Sequence, residues 1–344
     1  MTFDWQITPP NRDQISDIQE RIDQKTKPPG ALGQLEQLAL QIALVQAQKR
    51  LSIERPLMLV FAADHGIAEE GVSIANSRVT QQMVLNFLAG GAAINCFCRT
   101  NHIPLKVIDA GIKHEINPAP SALILQRIAA GTRNFAYEPA MTEQQMQQAL
   151  MLGKTFAEAE IAAGSNLLAF GEMGIGNSSS AAAILAVISG EPVERCVGLG
   201  TGIDAQQLAK KIALVTQGVA RVTDKSPYKI LAELGGFEIA QICGAMLATA
   251  QAGRLIVVDG FIVSAAALIA VNINPHARDY MIFAHESDEA GHQLMLQLLN
   301  AQPLLNLGLR LGEGTGAALA LPLIQAAVSF YNQMASFEAA GIKV

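Results

Sequence analysis

The sequence predicts an α/β protein, with a doubly wound, mainly parallel sheet and a small helical domain built from both chain termini. Three observations carry this. Five short apolar runs each end in a polar or glycine-rich turn. Long alanine-rich stretches of helical character separate them. Both ends of the chain lack strand runs and show helical spacing instead. Runs this short, apolar on both faces, mark parallel strands covered by helices on either side. Their alternation with helical segments is the pattern of a doubly wound sheet.

Taken in order, Ile15, Ile18 and Ile22 recur at helical spacing and give an amphipathic helix that stops before Pro28-Pro29-Gly30. Leu32, Leu35, Leu38 and Leu40 mark a second helix. The first strand run is Leu57–Phe61, before Ala62-Ala63-Asp64-His65-Gly66, and the second is Leu105–Ile108, before Asp109-Ala110-Gly111. The third, Asn166–Phe170, precedes Gly171-Glu172 and the helical stretch Ala181–Ile188. A helix over Ile239–Ala252 leads to the fourth run, Leu255–Val258, which ends at Asp259-Gly260. After a helix over Ser264–Val271 comes Met281–Phe283, before Ala284-His285-Glu286-Ser287. The tail from Gly316 to about Ala339 reads as helix. The expected organisation is a large Rossmann-like α/β domain at 46–305 and a small helical domain from 1–45 and 306–344, with no linker between them. Ligands of such sheets bind outside the carboxyl ends of the strands, where all the polar turns fall, so an active site is expected there.

Composition narrows the partners. The 344 residues are 50% hydrophobic and 16% charged, with a net charge of −6 and no Lys/Arg-rich stripe, which argues against a nucleic-acid surface. The start, Met1-Thr2-Phe3-Asp4-Trp5, lacks the basic and apolar regions of a secretory leader. The longest apolar stretch, Phe261–Val271, is about half of the ~20 residues a membrane span needs and reads as a buried helix. Cys96, Cys98, Cys196 and Cys243 form no secreted disulfide pattern, so reduced thiols and a cytoplasmic location are expected.

Several turns could carry chemistry. Glu313 lies among glycines in Leu311-Gly312-Glu313-Gly314-Thr315-Gly316, before an apolar helix that Thr315 is expected to cap. With Leu309, Leu311 and Leu319 nearby in the chain, its carboxyl suits a base with a raised pKa; the plain alternative is a solvated loop residue. Gly171-Glu172-Met173-Gly174-Ile175-Gly176-Asn177 follows a strand and opens an Ala-rich helix through Ser178, Ser179 and Ser180. Its glycines and helix N-terminus suit a phosphate, although it is neither G-x-G-x-x-G nor a Walker A loop. The plain alternative is a serine-capped strand–turn–helix junction. Gly198-Leu199-Gly200-Thr201-Gly202 is a second glycine turn, before a helix bearing Lys210 and Lys211; either lysine could face a phosphate or simply solvent. Asp64-His65 reads as a loop-holding pair rather than a metal or catalytic motif. His285-Glu286-Ser287-Asp288-Glu289 is no metal motif either; Ser287 could donate to a phosphate, and His292 is expected at the surface. Lys27-Pro28-Pro29-Gly30 reads as a helix breaker, and Asp259-Gly260-Phe261 could hold a loop or a ribose hydroxyl.

Together these segments resemble one family, the nicotinate-nucleotide–dimethylbenzimidazole phosphoribosyltransferases of cobalamin biosynthesis. The resemblance runs in order through most of the chain. It includes Lys27–Gly33, Ala63-Asp64-His65-Gly66, Glu69-Glu70-Gly71-Val72, Gly171–Gly174, Gly235-Gly236-Phe237, Asp259-Gly260-Phe261 and Leu311–Ala318. It implies transfer of ribose phosphate from nicotinate mononucleotide to 5,6-dimethylbenzimidazole, with inversion at the anomeric carbon. Glu313 would be the general base and Glu172 the second active-site acid. The phosphate would rest against Gly174, Gly176, Asn177 and Gly202, assisted by Lys211 and Ser287, with Leu311 beside the base pocket. The pyridinium is already a good leaving group, so no metal or cofactor is implied; the family is homodimeric. Enteric members line the base pocket with a Ser and a Gln where this chain has Ala75 and Met83. That difference implies a more apolar pocket and leaves benzimidazole, hydroxybenzimidazole and adenine open as substrates. Two other readings stand beside this one. A dinucleotide-binding oxidoreductase would use Glu191 or Glu194 on the ribose, and a non-catalytic nucleotide-binding module would leave Glu313 unexplained.

Overall fold

Six strands form one sheet in the computed structural model, which describes residues 4–200 and 202–343. They are β1 Leu57–Ala63, β2 Leu105–Gly111, β3 Leu123–Leu125, β4 Leu167–Met173, β5 Leu255–Val258 and β6 Met281–Phe283. Every neighbouring pair is parallel, in the order β3-β2-β1-β4-β5-β6. The order therefore reverses between β1 and β4, and their carboxyl ends are where a crevice opens in a doubly wound sheet. All of the apolar runs of the sequence are strands. The addition is β3, only three residues long and at the edge, too brief to leave a periodic signal. Glu172, read as part of a turn, lies within β4, in register with Phe61. Thr201 and the chain start Met1-Thr2-Phe3 fall outside the described residues.

Alternating strand residues face two apolar layers. Leu59, Phe61 and Phe170 share a cluster with helices Glu143–Ala162, Asn177–Ser189, Phe237–Gln251 and Phe261–Ile273. Met58, Val60 and Ala169 face helices Ile15–Asp23, Gln34–Gln46, Arg78–Ala89, Ala93–Thr100 and Thr315–Gln333. The terminal helices thus cover one face of the sheet and share its core. The last helix stops at Gln333, short of Ala339, because the chain turns extended at Met334 and bridges Ser336 to Lys25.

Helices Glu143–Ala162 and Phe237–Gln251 cross backbone to backbone. A methyl at Gly153 would fall on the Gln241 carbonyl, and one at Gly244 on the Leu150 carbonyl. Neither neighbour is a side chain that can rotate away. Gly153→Ala is accordingly expected to destabilise the fold by about 1–3 kcal/mol through overpacking. The check is the urea midpoint at unchanged m-value; a midpoint equal to that of the native chain would refute the crossing.

Candidate active site

A cavity of about 520 Å³ opens at the carboxyl ends of β4, β5 and β6. The turn after β4 gives it Gly174, Ile175, Gly176, Asn177 and Ser178. Gly176 precedes the helix Asn177–Ser189 with φ +98°, a left-handed conformation that glycine adopts without strain. No side chain caps that helix, so its N-terminal end faces the cavity with its positive dipole end free for an anion. The serines do not form the expected cap. Ser180 instead bonds the Leu234 carbonyl, and Ser178 Oγ accepts from Lys211 Nζ at 3.0 Å.

Lys211 is 1% exposed and does not line the cavity. Its ammonium also donates to the Gly198 carbonyl at 3.0 Å, and burial lowers its pKa to about 8. It supports the wall from behind, through Ser178 and beneath Gly200. In the second glycine turn it is Gly200 that lines the cavity, whereas Gly202 is exposed and a side chain there would point into open space. Arg310 is the sole lysine or arginine among the described lining residues, and its guanidinium reaches the Gly200 carbonyl at 3.4 Å. The sequence reading overlooked it; its place three residues before Glu313 was the available signal. Ser287 also lines the cavity.

Glu172 is at the floor. Its Oε2 accepts from the Asn177 amide, and its other oxygen lies against Gly312, where any side chain would collide with it. Burial raises its pKa to about 8, with Glu238, Asp259 and Glu313 adding repulsion and the Asn177 bond opposing. A carboxyl at the ordinary 4.5 in the unfolded chain gives up its proton long before the folded one does at about 8. Between those values the folded state holds more protons, so this group makes stability fall as pH rises from about 4.5 to about 8. Glu172→Gln is expected to flatten that fall. The variant should exceed the native chain in stability near pH 9 by on the order of a few kcal/mol, with the gap shrinking towards pH 5, in urea titrations. Parallel pH curves for the two proteins would refute the assignment.

Glu313 is 5% exposed and adopts φ +63°, a left-handed conformation that costs a non-glycine residue about 1–3 kcal/mol. Its Oε2 accepts from the Ile94 backbone N–H at 3.3 Å, at the start of helix Ala93–Thr100. Burial raises its pKa and Asp259 adds to the rise, while the Ile94 bond opposes it. The preceding residues Leu309–Gly312 line the cavity, whereas Glu313 itself does not. It is buried in a carboxylate cluster rather than solvated on a loop. Thr315 begins the following helix instead of capping it, and its hydroxyl donates to the Gly312 carbonyl at 2.8 Å.

The remaining candidates divide. Leu311 lines the mouth and is exposed. Ala75 and Met83 are half-buried and do not line the cavity; Val72 and Ser73 do. Asp64 accepts from Thr80 Oγ1 at 2.6 Å and from Lys113 N at 2.7 Å, which holds two loops together. His65 Nε2 lies 2.6 Å from Glu238 Oε1, both fully buried beneath Gly236. Glu238, unremarked in the sequence, follows Gly235-Gly236-Phe237 directly. His292 is 0% exposed, contrary to the surface position expected of it. Its Nδ1 accepts from Ser287 N at 2.8 Å, its Nε2 lies 3.0 Å from Ser264 Oγ, and burial lowers its pKa to about 3. The short helix that it begins packs on Phe261–Ile273, which draws the ring inward. Among the described residues no helix is long and apolar enough to cross a membrane.

Residues 7–342 match a family model described as phosphoribosyltransferase. A Vibrio vulnificus protein named nicotinate-nucleotide–dimethylbenzimidazole phosphoribosyltransferase is 58% identical over 335 residues, 96% of this chain and 98% of that protein. A Shewanella oneidensis protein of the same name is 57% identical over 346 residues, 99% of this chain and 98% of its own length. The crystal structure of CobT from Thermus thermophilus superposes with a TM-score of 0.93 at 43% identity, covering 96% of this chain and 99% of that one.

Proposed function

Because the chain belongs to the nicotinate-nucleotide–dimethylbenzimidazole phosphoribosyltransferase family, we propose that it transfers the ribose phosphate of nicotinate mononucleotide to 5,6-dimethylbenzimidazole, in the assembly of the cobalamin nucleotide loop. The observation that carries this reading is Glu313, held buried in a left-handed backbone directly after the Leu309–Gly312 segment, which lines a cavity that also presents an uncapped helix N-terminus. The 5′-phosphate rests on Gly174, Gly176 and Asn177 at that helix end, with Arg310 supplying positive charge, Ser287 a hydroxyl, and Lys211 supporting the wall from behind Ser178. One ring nitrogen of the azole attacks the anomeric carbon as the bond to nicotinate breaks, so the configuration inverts. The other ring nitrogen gives its proton to Glu313. Its raised pKa makes Glu313 a stronger base than an ordinary carboxylate. Glu172, protonated at neutral pH, donates to a ribose oxygen. Positioning of the two reactants supplies most of the rest of the barrier reduction.

The reaction takes place in the cytoplasm, on a homodimer. Ala75 and Met83 shape the surroundings of the azole only through Ser73 and helix Arg78–Ala89, so the seat itself tolerates several benzimidazoles. The dinucleotide alternative loses its ribose partner: Glu191 pairs with Arg195 beyond the far end of helix Asn177–Ser189. That is about 20 Å of helix away from the glycine turn. Purified protein incubated with nicotinate mononucleotide and dimethylbenzimidazole should yield α-ribazole 5′-phosphate and nicotinate in equal amounts, with the α configuration visible by NMR. Absence of product with every azole offered would overturn the reading.

A further inference from the structure

Asp259 follows β5 directly, is 1% exposed, and has both carboxylate oxygens engaged by a segment more than fifty residues further on. Oδ2 accepts from Gly314 N at 3.2 Å and Oδ1 from Ala317 N at 2.9 Å, at the start of helix Thr315–Gln333. These amides come immediately after Glu313 and would otherwise lack partners. On its other side, the Asp259 carboxylate faces His285 Nε2 at 3.7 Å. The His285 ring occupies a slot between Gly260 and Gly316, where a side chain on either glycine would meet it. Among the described residues neither ring nitrogen has a hydrogen-bond partner, so the ring is available to the carboxylate beside it. Among the described residues, the Ile94 amide is the hydrogen-bond partner that orients the Glu313 side chain. Its strained backbone is over-determined from Asp259.

We propose that Asp259 is a positioning residue for this reaction: seated against His285, it clamps the amides that follow Glu313 and so keeps the base in its left-handed conformation. The inference rests on the reading of Glu313 as the base. It also assigns the Asp259-Gly260 motif, which lines the cavity, to holding a loop, since each carboxylate oxygen accepts a backbone amide of the Gly314–Ala317 segment.

A double-mutant cycle on the full chain tests this, using kcat and KM for nicotinate mononucleotide in the native protein, Asp259→Asn, Glu313→Gln and the double variant. Asp259→Asn should lower kcat by about 100-fold through misplacement of the base, with little change in KM. In the Glu313→Gln background the same substitution should change kcat by less than about threefold, because residues that act through one another are not additive. Equal losses in both backgrounds would mean that Asp259 acts independently, and would overturn the proposal. If Asp259→Asn does not fold by circular dichroism, His285→Asn, which empties the slot beside the carboxylate, goes through the same cycle with the same outcomes decisive. A second readout is the acid limb of kcat/KM. The groups facing Glu313 are Asp259 after β5, Glu172 from β4 and the uncharged Ile94 amide. Removing the Asp259 charge should move the limb to lower pH; an unmoved limb counts against the clamp. A native protein that makes no α-ribazole phosphate would defeat the functional reading itself, whereas an active one with an additive cycle defeats only the role of Asp259.

Discussion

Glu313→Gln is expected to lower kcat by about 10²–10⁴-fold, the usual contribution of a positioned general base. The substitution is nearly isosteric. The amide oxygen can still accept from Ile94 N, and the left-handed backbone is untouched. In the proposed mechanism, what disappears is the ability to take the azole proton as the ring nitrogen bonds to the sugar. The urea midpoint should stay close to that of the native chain or rise, because a buried carboxyl repelled by Asp259 is replaced by a neutral group. Initial rates of α-ribazole phosphate formation, measured beside that midpoint, separate chemistry from folding. A kcat equal to that of the native protein would remove Glu313 from its assigned role.

Gly171→Ala, one strand away, should reach the same base by a different route. Gly171 is the β4 residue on which the Glu313–Gly314 peptide rests; a methyl there would lie 2.6 Å from both Glu313 C and Gly314 N. Ordinary contact distances leave no room for it, and neither backbone can yield unless the loop lifts from the sheet by roughly 1 Å. A displacement of that size at a catalytic group costs about 100-fold in rate. Overpacking adds about 1–3 kcal/mol of destabilisation. The expected signature is therefore a fall in both kcat and urea midpoint, unlike Glu313→Gln, where kcat alone falls. An alanine variant with native kcat would show that the loop does not depend on its seat against β4.

The strands were legible because a parallel strand buried on both faces can be built only from a short apolar run, and such runs stand out between helices. Helix Phe261–Ile273 was legible for a similar reason, being apolar all round and too short for a membrane. The glycine turns were legible as special backbone at the strand ends, and Gly174, Gly176 and Gly200 line the cavity there. Less was legible where the answer depended on what lies opposite. Lys211 and Lys210 are adjacent in sequence, yet one is buried behind the glycine turn and the other bonds the exposed Glu70 carbonyl. His292 has the sequence surroundings of a surface residue, but the packing of its short helix draws the ring against Ser264. Gly200 rather than Gly202, and Ser73 rather than Ala75, face the cavity. Two residues of displacement along a turn decide whether a group reaches the cavity, and no local pattern records it.

The sequence by itself determined the class of fold and, through its ordered motifs, the family to which the chain belongs, and it pointed to the end of the sheet where the cavity opens. Those properties are written locally, in hydrophobic period, glycine placement and the order of short segments. Only the tertiary structure decided which groups meet: Ile94 with Glu313, His65 with Glu238, Asp259 with the amides of Gly314 and Ala317. Each joins segments between 55 and 219 residues apart. Their partnership follows from strand order and helix packing, because a buried charge or amide takes whatever complement the fold brings within hydrogen-bond reach.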